Sequence, residues 1–437
     1  VAELSAVPSV KPPQNSAKTI SATYQRPYHM HGSVGPSAAM AFYDDQEIKV
    51  WTHSQGVYPL RLALADVLDF EENRIHVVHV PGAGCYGHNG ADDAALDAVL
   101  AARAFPGKPV LLKWERVDEH SWEPYGSAMQ IELQANMDKS GKILYWNHET
   151  YSDTHLKRPS AHGKKSRLLA SWHMQVPKQS PQVKPLTGYH TGIHRNADPI
   201  YDFNDRRIVK HLVDNLPLRV STLRSLGAYA NVFAIESFMD ELAHSCDRNP
   251  LEFRMDNLSD YRAKAVLEAA VEKANSRIIS KGGGHGRGFA LARYKNAKCY
   301  AAVAVDLLVD DYGSIKLLRA VIAADAGQVI DPDGLRSQLE GGLLQSASWT
   351  LKEQVKFDEK GITSQDWESY PIMTFAEVPE IETILIDRKD RPVLGAGEAT
   401  QGPTAAAISN AVFDAVGLRL RRIPFTPEMV LEAAAEA

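Results

Sequence analysis

A glycine-rich turn near the C-terminus carries a single carboxylate. The turn spans 394–398 and continues into the small, apolar segment 399–413. Glu398 is the only charged residue between Arg391 and Asp414. Glycines let the main chain approach a ligand closely, and a carboxylate in a small, apolar loop tends to have a raised pKa, which suits a general base. The plainer alternative is a solvated turn glutamate, and the rest of the chain must decide between the two.

Other glycines fall where a ligand could bind. Turns at 82–90 and 224–228 precede predicted helices, whose N-terminal N–H groups can form a cradle for phosphate-like anions. Gly341 and Gly342 lie inside a predicted helix, where each costs about 1 kcal/mol relative to Ala. Close approach of a cofactor explains that cost, and tight packing of helix on sheet explains it nearly as well. The sequence contains neither the phosphate-binding loop nor the full dinucleotide fingerprint.

The histidines raise the question of a metal site. His29 lies close to His31 in sequence, and His190 lies close to His194. Partner carboxylates at ligand spacing are lacking, so surface or hydrogen-bonded histidines are the preferred interpretation. A serine-hydrolase triad has no anchor either, because the G-x-S-x-G turn is missing.

The composition shows no strong charge bias. A net charge of −6 offers no basic face for nucleic acid, and no apolar run approaches the roughly 20 residues of a membrane helix. The widely spaced Cys85, Cys246 and Cys299 form no disulfide framework, zinc motif or iron–sulfur motif. They favour a reducing, cytoplasmic compartment, with a periplasmic or membrane-associated location through partner chains left open.

Hydrophobic periodicity predicts an α+β chain of hairpins and single helices. Hairpins are predicted at 129–152 and 300–324, and the glycines at 282–284 mark a domain boundary. Residues 154–199 lack periodicity and form a long loop of the kind that is usually functional or mobile. Asn231 and Asp333 are the predicted N-caps of two helices. Helices are predicted over 56–68, 94–105, 231–244, 263–274 and 333–353.

Five ordered motifs resemble the molybdenum-binding subunit of the xanthine dehydrogenase family. In chain order they are 51–55, 82–87, 223–229, 338–345 and 395–398. The likeness runs from about Tyr28 to the end. It is greatest to the nicotinate dehydrogenase and isoquinoline oxidoreductase large subunits, as the segments 84–95 and 228–242 show. The resemblance implies the α+β fold of this family's molybdenum-cofactor-binding domains, without their upstream part.

The resemblance implies a role for each matched residue. Glu398 would be the base that activates a molybdenum-bound hydroxyl group, Arg224 would orient substrate or stabilise developing negative charge, and Gln55 would lie near the metal. The Gly87 N–H would donate to a molybdenum oxygen, with Tyr86 in place of the family's Phe. The metal would be held through the pterin dithiolene and by no side chain. The other residues implied to contact the cofactor are Gly84, Gly227, Ala228, Gly341, Gly342, Gln345 and Gly397.

The resemblance also implies a domain organisation. An extended linker at 1–26 would precede a first molybdopterin-binding domain at 27–280 and a second at 281–437. The Gly-Gln-Gly segment with which relatives hold the pterin has no counterpart, and the chain begins with Val. We therefore expect a split or processed subunit whose N-terminal part is another chain. Residues 88–90 stand where many relatives carry an acid or base, so the substrate preference stays open.

The implied reaction is hydroxylation of an electron-poor carbon in an N-heteroaromatic, nicotinate-like acid, with water as the oxygen source. Electrons would pass to [2Fe-2S] clusters on a partner chain, since this chain has no cysteines suited to hold one. A flavin or cytochrome c as the next acceptor, and the cytosine dinucleotide form of the cofactor, stay open. The alternatives are an aldehyde-oxidising subunit and a cofactor-free scaffold of the same fold. An aromatic acid would need Arg224 or a histidine to bind its carboxylate, whereas an aldehyde would not.

Overall fold

A computed structural model describes residues 2–3, 13, 16–188, 190–203, 205–278 and 282–436. Its mixture of sheets and helices confirms the predicted α+β class. The described helices are α1 (Val57–Leu68), α2 (Ala91–Arg103), α3 (Arg116–Trp122), α4 (Ala228–Ser245), α5 (Pro250–Asp256), α6 (Tyr261–Asn275), α7 (Pro332–Leu351), α8 (Gln401–Val416) and α9 (Pro427–Glu436). None of them is long and apolar enough to cross a membrane.

Three larger sheets carry the fold in the described part of the chain. The first has the spatial order Ala2–Glu3, Asp205–Leu212, Ile143–Ser152, Met129–Met137 and Lys18–Arg26. The second has the order His285–Arg293, Tyr300–Val309, Ile315–Asp325 and Glu380–Leu385. The third has the order Ile75–His79, Ile48–Thr52, Ala38–Tyr43 and Val110–Lys113. Short pairs join Val220–Ser221 to Tyr125–Gly126 and Phe357–Asp358 to Gly361–Ile362.

The second sheet positions the helix that follows the Glu398 turn. Strand Tyr300–Val309 is almost continuously apolar and buried, and it contacts both α6 and α8. Helix α8 lies so close to strand His285–Arg293 that a Cβ at Gly288 would fall 2.2 Å from the carbonyl oxygen of Ala407. Only glycine fits this contact, which holds the middle of α8 against the strand.

A buried ion pair ties α4 to its neighbours. The Glu236 carboxylate accepts hydrogen bonds from Arg254 Nε at 3.1 Å and from Tyr201 OH at 2.6 Å. It also accepts from the backbone N–H of Leu291 at 3.0 Å, which links α4 to the second sheet. A buried charge needs such a complete set of partners, because an unpaired one would cost several kcal/mol.

Both predicted N-caps are wrong. Helix α4 begins three residues before Asn231, whose side chain instead donates to the carbonyl oxygens of Ile193 at 2.8 Å and Arg195 at 3.0 Å. Helix α7 is capped by Asp331, which accepts from the N–H of Gly334. The start of α7 is therefore set locally, by the Asp331 cap and Pro332 after it, whereas the side chain of Asn231 is engaged in tertiary contacts.

The predicted segment boundaries have mixed outcomes. Lys18–Arg26 is a strand that pairs antiparallel with Met129–Met137, so the linker predicted at 1–26 is wrong for these residues. Buried and exposed residues alternate along this strand, and the buried Tyr24 belongs to the core. This period-2 pattern had not been predicted. The rest of that linker lies mostly outside the described residues, as does the boundary between 280 and 281. One apolar core draws on residues from both sides of that boundary, so the two predicted domains pack together.

Candidate active site

All five motifs meet at one cavity of about 1110 Å³. Eight of the predicted site residues lie on its wall: Gln55, Tyr86, Gly87, Arg224, Gly341, Gln345, Gly397 and Glu398. The remaining four, Gly84, Gly227, Ala228 and Gly342, do not line it. The fold therefore joins segments that are separated by most of the chain length.

Glu398 is held by donors on two other elements. Its Oε1 accepts the backbone N–H of Ser225 at 2.8 Å. Its Oε2 accepts the hydroxyl of Tyr294 and lies 3.7 Å from Nη1 of Arg195. Arg195 also donates to the Tyr294 hydroxyl at 2.5 Å. The expected apolar surroundings of Glu398 are therefore wrong, because its carboxylate has a fixed orientation among polar donors.

Arg224 braces the Glu398 turn against α7. Its Nε donates to the carbonyl oxygen of Gly397 at 2.7 Å, and Nη1 donates to Gln345 Oε1 at 3.3 Å. Its Nη2 donates to the carbonyl oxygen of Gln338 at 3.0 Å. Burial lowers the pKa of Arg224, and the negative charge of Glu398 opposes that shift. Because all three nitrogens have protein acceptors, the guanidinium holds the wall of the cavity in place.

The turn at Tyr86 and Gly87 approaches a neighbouring backbone closely. Both residues have positive φ, 52° and 132°. A Cβ at Gly87 would lie 2.1 Å from the carbonyl oxygen of Thr222, so glycine is required here for steric reasons as well as for its conformation. The N–H of His88 donates to the same oxygen at 2.7 Å. The backbone at Gly87 is thus fixed at the edge of the cavity.

The residue that follows the Tyr-Gly pair faces away from the cavity. His88 is buried, with Nδ1 2.8 Å from Ser221 Oγ and Nε2 3.5 Å from Asp92 Oδ2. Burial lowers the pKa of His88 well below its ordinary value, so its ring is neutral near pH 7. His88 supplies no charge to the cavity at the position where relatives are expected to carry an acid or base.

The two helical glycines of α7 have different surroundings. A Cβ at Gly341 would meet no atom within 4 Å, and this residue lies on the cavity wall. A Cβ at Gly342 would lie 2.4 Å from Thr400 Oγ1 and 2.9 Å from Gln401 Nε2. Helix packing therefore explains Gly342, whereas the protein offers no steric reason for Gly341, which leaves space for a group in the cavity.

We expect opposite stability effects at these neighbouring glycines. Gly342→Ala should lower the free energy of unfolding by about 1–3 kcal/mol, because the buried start of α8 must shift. Gly341→Ala should raise it by up to about 1 kcal/mol through helix propensity. Urea denaturation of both variants tests this. Equal stabilities would contradict the assignment of Gly342 to packing.

Several cavity residues could not be found from the sequence. Glu353 is buried on the wall, just beyond α7, and burial raises its pKa to about 7 against hydrogen bonds with Ser348 and Tyr370 that lower it. His31 Nδ1 lies 3.1 Å from Glu123 Oε2, which confirms a hydrogen-bonded histidine. Neither residue lies in a recognisable motif, and only their tertiary positions reveal them. The described residues contain no group of three or more His, Cys, Asp or Glu side chains arranged for a metal ion.

We expect Tyr294→Phe to lower kcat by roughly 10- to 100-fold with KM and cofactor content unchanged. The variant loses a hydrogen bond to a carboxylate, which is worth about 1.5–3 kcal/mol, and Glu398 then keeps only the Ser225 N–H and the more distant Arg195 to orient it. Tyr300→Phe is the matched control, because the Tyr300 hydroxyl donates to Asp260 at 2.8 Å, away from the cavity. Steady-state kinetics on both variants is the measurement. A wild-type kcat for Tyr294→Phe would show that the hydrogen bond from Tyr294 to Glu398 does not contribute to catalysis.

Comparisons with known proteins agree with this geometry. Models of the molybdopterin cofactor-binding domain match residues 10–175 and 236–379. One of the subunits of nicotinate dehydrogenase from Pseudomonas putida is 37% identical over 96% of this chain and 35% of its own length. The beta subunit of isoquinoline 1-oxidoreductase from Brevundimonas diminuta is 24% identical over 90% of this chain and 48% of its own length. This chain thus spans about a third to a half of these curated relatives.

The solved structures extend the likeness to the whole fold. Quinoline 2-oxidoreductase from Pseudomonas putida 86 superposes with a TM-score of 0.78 at 15% identity, over 96% of this chain and 77% of that chain. The aldehyde oxidoreductase from Desulfovibrio gigas superposes with a TM-score of 0.74 at 16% identity, over 96% and 61%.

The fold and the cavity define a chain built from molybdopterin cofactor-binding domains. The resemblance seen in the five motifs is confirmed. The chain belongs to the xanthine dehydrogenase family, as a molybdenum-binding subunit.

Proposed function

We propose that this chain forms the cofactor-binding part of a molybdenum hydroxylase that acts on an electron-poor carbon of an N-heteroaromatic acid. Water would be the oxygen source. The observation that carries the proposal is the fixed carboxylate of Glu398 on the wall of a cavity to which all five family motifs contribute. The high similarity to a nicotinate dehydrogenase subunit supports an aromatic acid as the substrate.

The cavity residues fit a pterin cofactor. Gly341 leaves open space beside α7. The backbone at Gly87, in another of the five motifs, is held rigidly on the cavity wall. Gln55 and Gln345 place amide groups on the wall, where they can bind polar edges of a pterin. When bound, the molybdenum cofactor supplies the redox centre and the oxygen-transfer chemistry.

The chain's own residues would handle the proton. Tyr294 and Arg195 occupy Oε2 of Glu398, whereas Oε1 has a single N–H donor, from Ser225. Oε1 is therefore the oxygen that accepts a proton during hydroxylation. Arg224 keeps the Glu398 turn in place while this happens. A positioned base of this kind contributes about 10²- to 10⁴-fold to a rate.

Partner chains would complete the enzyme. The curated relatives are two to three times as long as the segment they share with this chain, and the rest of the cofactor site would come from sequence outside this segment. Cys85, Cys246 and Cys299 are free thiols without a shared site, so a [2Fe-2S] partner would take the electrons. A flavin or cytochrome c would then follow, and the cofactor would have the cytosine dinucleotide form.

Oxidation of an aldehyde is the second candidate. The protein acceptors around Arg224 favour it, because each nitrogen of that guanidinium already donates to the protein. The third sequence-based alternative, a cofactor-free scaffold, does not explain why Glu398 and Arg224 keep an ordered set of partners at an open cavity.

Isotope transfer tests the proposal. The complex is purified with its native partners and incubated anaerobically in 18O-labelled water with pyridine-3-carboxylate and an artificial electron acceptor. We expect a hydroxylated product that carries the label. Oxidation of benzaldehyde without turnover of pyridine-3-carboxylate would favour the aldehyde alternative. Turnover of neither by a molybdenum-loaded complex would contradict hydroxylase function.

A further inference from the structure

One cation on the cavity wall has an unused donor. Arg158 belongs to the long, aperiodic loop that the sequence marks as functional or mobile. Its Nη2 donates to the carbonyl oxygen of Gly87 at 2.5 Å and to Gln55 Oε1 at 3.1 Å. Its Nη1 is buried, and no hydrogen-bond partner is found for it within the described parts of the chain. An unsatisfied buried donor is costly. Nη1 is packed beside Gly56, so it would reach an anion in the cavity only after the Arg158 side chain rotates.

The loop holds Arg158 in place before any ligand binds. Asp66 Oδ2, on α1, accepts the backbone N–H of His162 at 2.6 Å and of Gly163 at 2.8 Å. Asp93 Oδ1, on α2, accepts the N–H of Leu169 at 2.8 Å. Both helices thus pin the loop beyond Arg158. A guanidinium positioned in this way loses little conformational entropy on binding.

The nearby acidic groups are engaged elsewhere. Asp92 accepts from Ser54 Oγ at 2.7 Å and faces His88. Lys157, the neighbour of Arg158, pairs with Asp153 at 2.6 Å. Within the described residues, no carboxylate lies in ion-pair distance of Arg158. Its positive charge opposes the rise that burial gives the pKa of Asp92, but it forms no direct ion pair within the described residues.

We propose that Arg158 is an anion-binding residue of this cavity. A guanidinium binds carboxylate or phosphate oxygens with directed, charge-assisted hydrogen bonds. Two anions meet this chemistry here: the carboxylate of an aromatic acid substrate and a phosphate of the pterin cofactor. The inference rests on the proposed function and deepens it, because it assigns the anion site to Arg158 and leaves Arg224 as a structural brace.

Three variants test the assignment in the native complex. Arg158→Gln removes the positive charge. Arg158→Lys keeps the charge but lacks the planar, bidentate N–H donors of the guanidinium. Lys164→Gln, an exposed position in the same loop, is the matched control. For each variant, kcat and KM are measured with pyridine-3-carboxylate and with pyridine-3-carboxamide, and molybdenum is measured per chain. Calorimetric binding of pyridine-3-carboxylate gives a readout that needs no turnover.

The two anion sources give different results. If Arg158 binds the substrate, Arg158→Gln raises KM and Kd for the carboxylate by about 30- to 100-fold, leaves the carboxamide unchanged and retains molybdenum. If it binds the cofactor phosphate, the same variant loses most of its molybdenum. In either case Arg158→Lys is expected to lie between wild type and Arg158→Gln.

Two results would overturn the assignment. One is an Arg158→Gln variant that matches Lys164→Gln in all these measurements. The other is an equal loss of activity with both substrates at full molybdenum content. Failure of the proposed function is separate: wild-type complex that binds pyridine-3-carboxylate through Arg158 but never oxidises it would retain the anion site and reject the hydroxylase.

Discussion

Glu398→Gln lowers kcat by about 10³-fold, with molybdenum content and KM within about twofold of wild type. Glutamine keeps the length and shape of the side chain, and its amide oxygen can still accept one of the two hydrogen bonds, from the Ser225 N–H or from the Tyr294 hydroxyl. It cannot accept a proton at neutral pH, and the loss of a positioned base costs about 10²- to 10⁴-fold. Steady-state kinetics and elemental analysis on the same preparation measure both quantities.

An exposed glutamate provides the control for this substitution. Glu359→Gln changes the same chemical group in the surface turn between the short strands Phe357–Asp358 and Gly361–Ile362. We expect wild-type kinetics from it. If Glu398→Gln also turned over at the wild-type rate, with its cofactor bound, Glu398 would not be the base, and its ordered contacts would serve the fold alone.

Gly87→Ala should remove most of the bound molybdenum. The new methyl group would lie 2.1 Å from the carbonyl oxygen of Thr222, and this oxygen also accepts the N–H of His88. Neither backbone can yield without displacing the cavity edge, and a positive φ of 132° adds strain for alanine. We expect the molybdenum content to fall at least fivefold and the free energy of unfolding to fall by about 2–4 kcal/mol.

Gly107→Ala is the control that separates backbone strain from steric overlap. Gly107 also has positive φ, 77°, but a Cβ there would meet no atom within 4 Å. It should therefore cost only about 1 kcal/mol and leave molybdenum unchanged. Equal effects of the two substitutions on molybdenum content would mean that the Gly87 contact does not shape the cavity.

The motifs could be located from sequence because each carries its own local signal. The resemblance of these ordered motifs to the family implies one shared site for Gln55, Gly87, Arg224 and Glu398. These four residues do share a cavity. The hairpin predicted at 300–324 was found almost residue for residue, since both strands are runs of mostly apolar, buried residues and the turn between them is rich in Asp and Gly.

Long-range partners could not be predicted in the same way. Tyr294 contacts Glu398 from 104 residues away, and nothing in its own segment marks it as a site residue. Arg158 lies in an aperiodic loop whose course depends on distant carboxylates such as Asp66. The N-cap predicted at Asn231 is wrong for the same reason, because this side chain donates to the carbonyl oxygens of Ile193 and Arg195. Tertiary contacts override local propensity at these positions.

Molybdenum content of the natively purified complex tests the central claim most directly. Every chain that co-purifies is identified, and molybdenum and iron are measured by elemental analysis against the amount of this chain. We predict about one molybdenum per copy of this chain, together with iron on a separate cluster-bearing chain. A complex with its partner chains intact and no molybdenum would contradict the account and leave a scaffold that has kept only the fold.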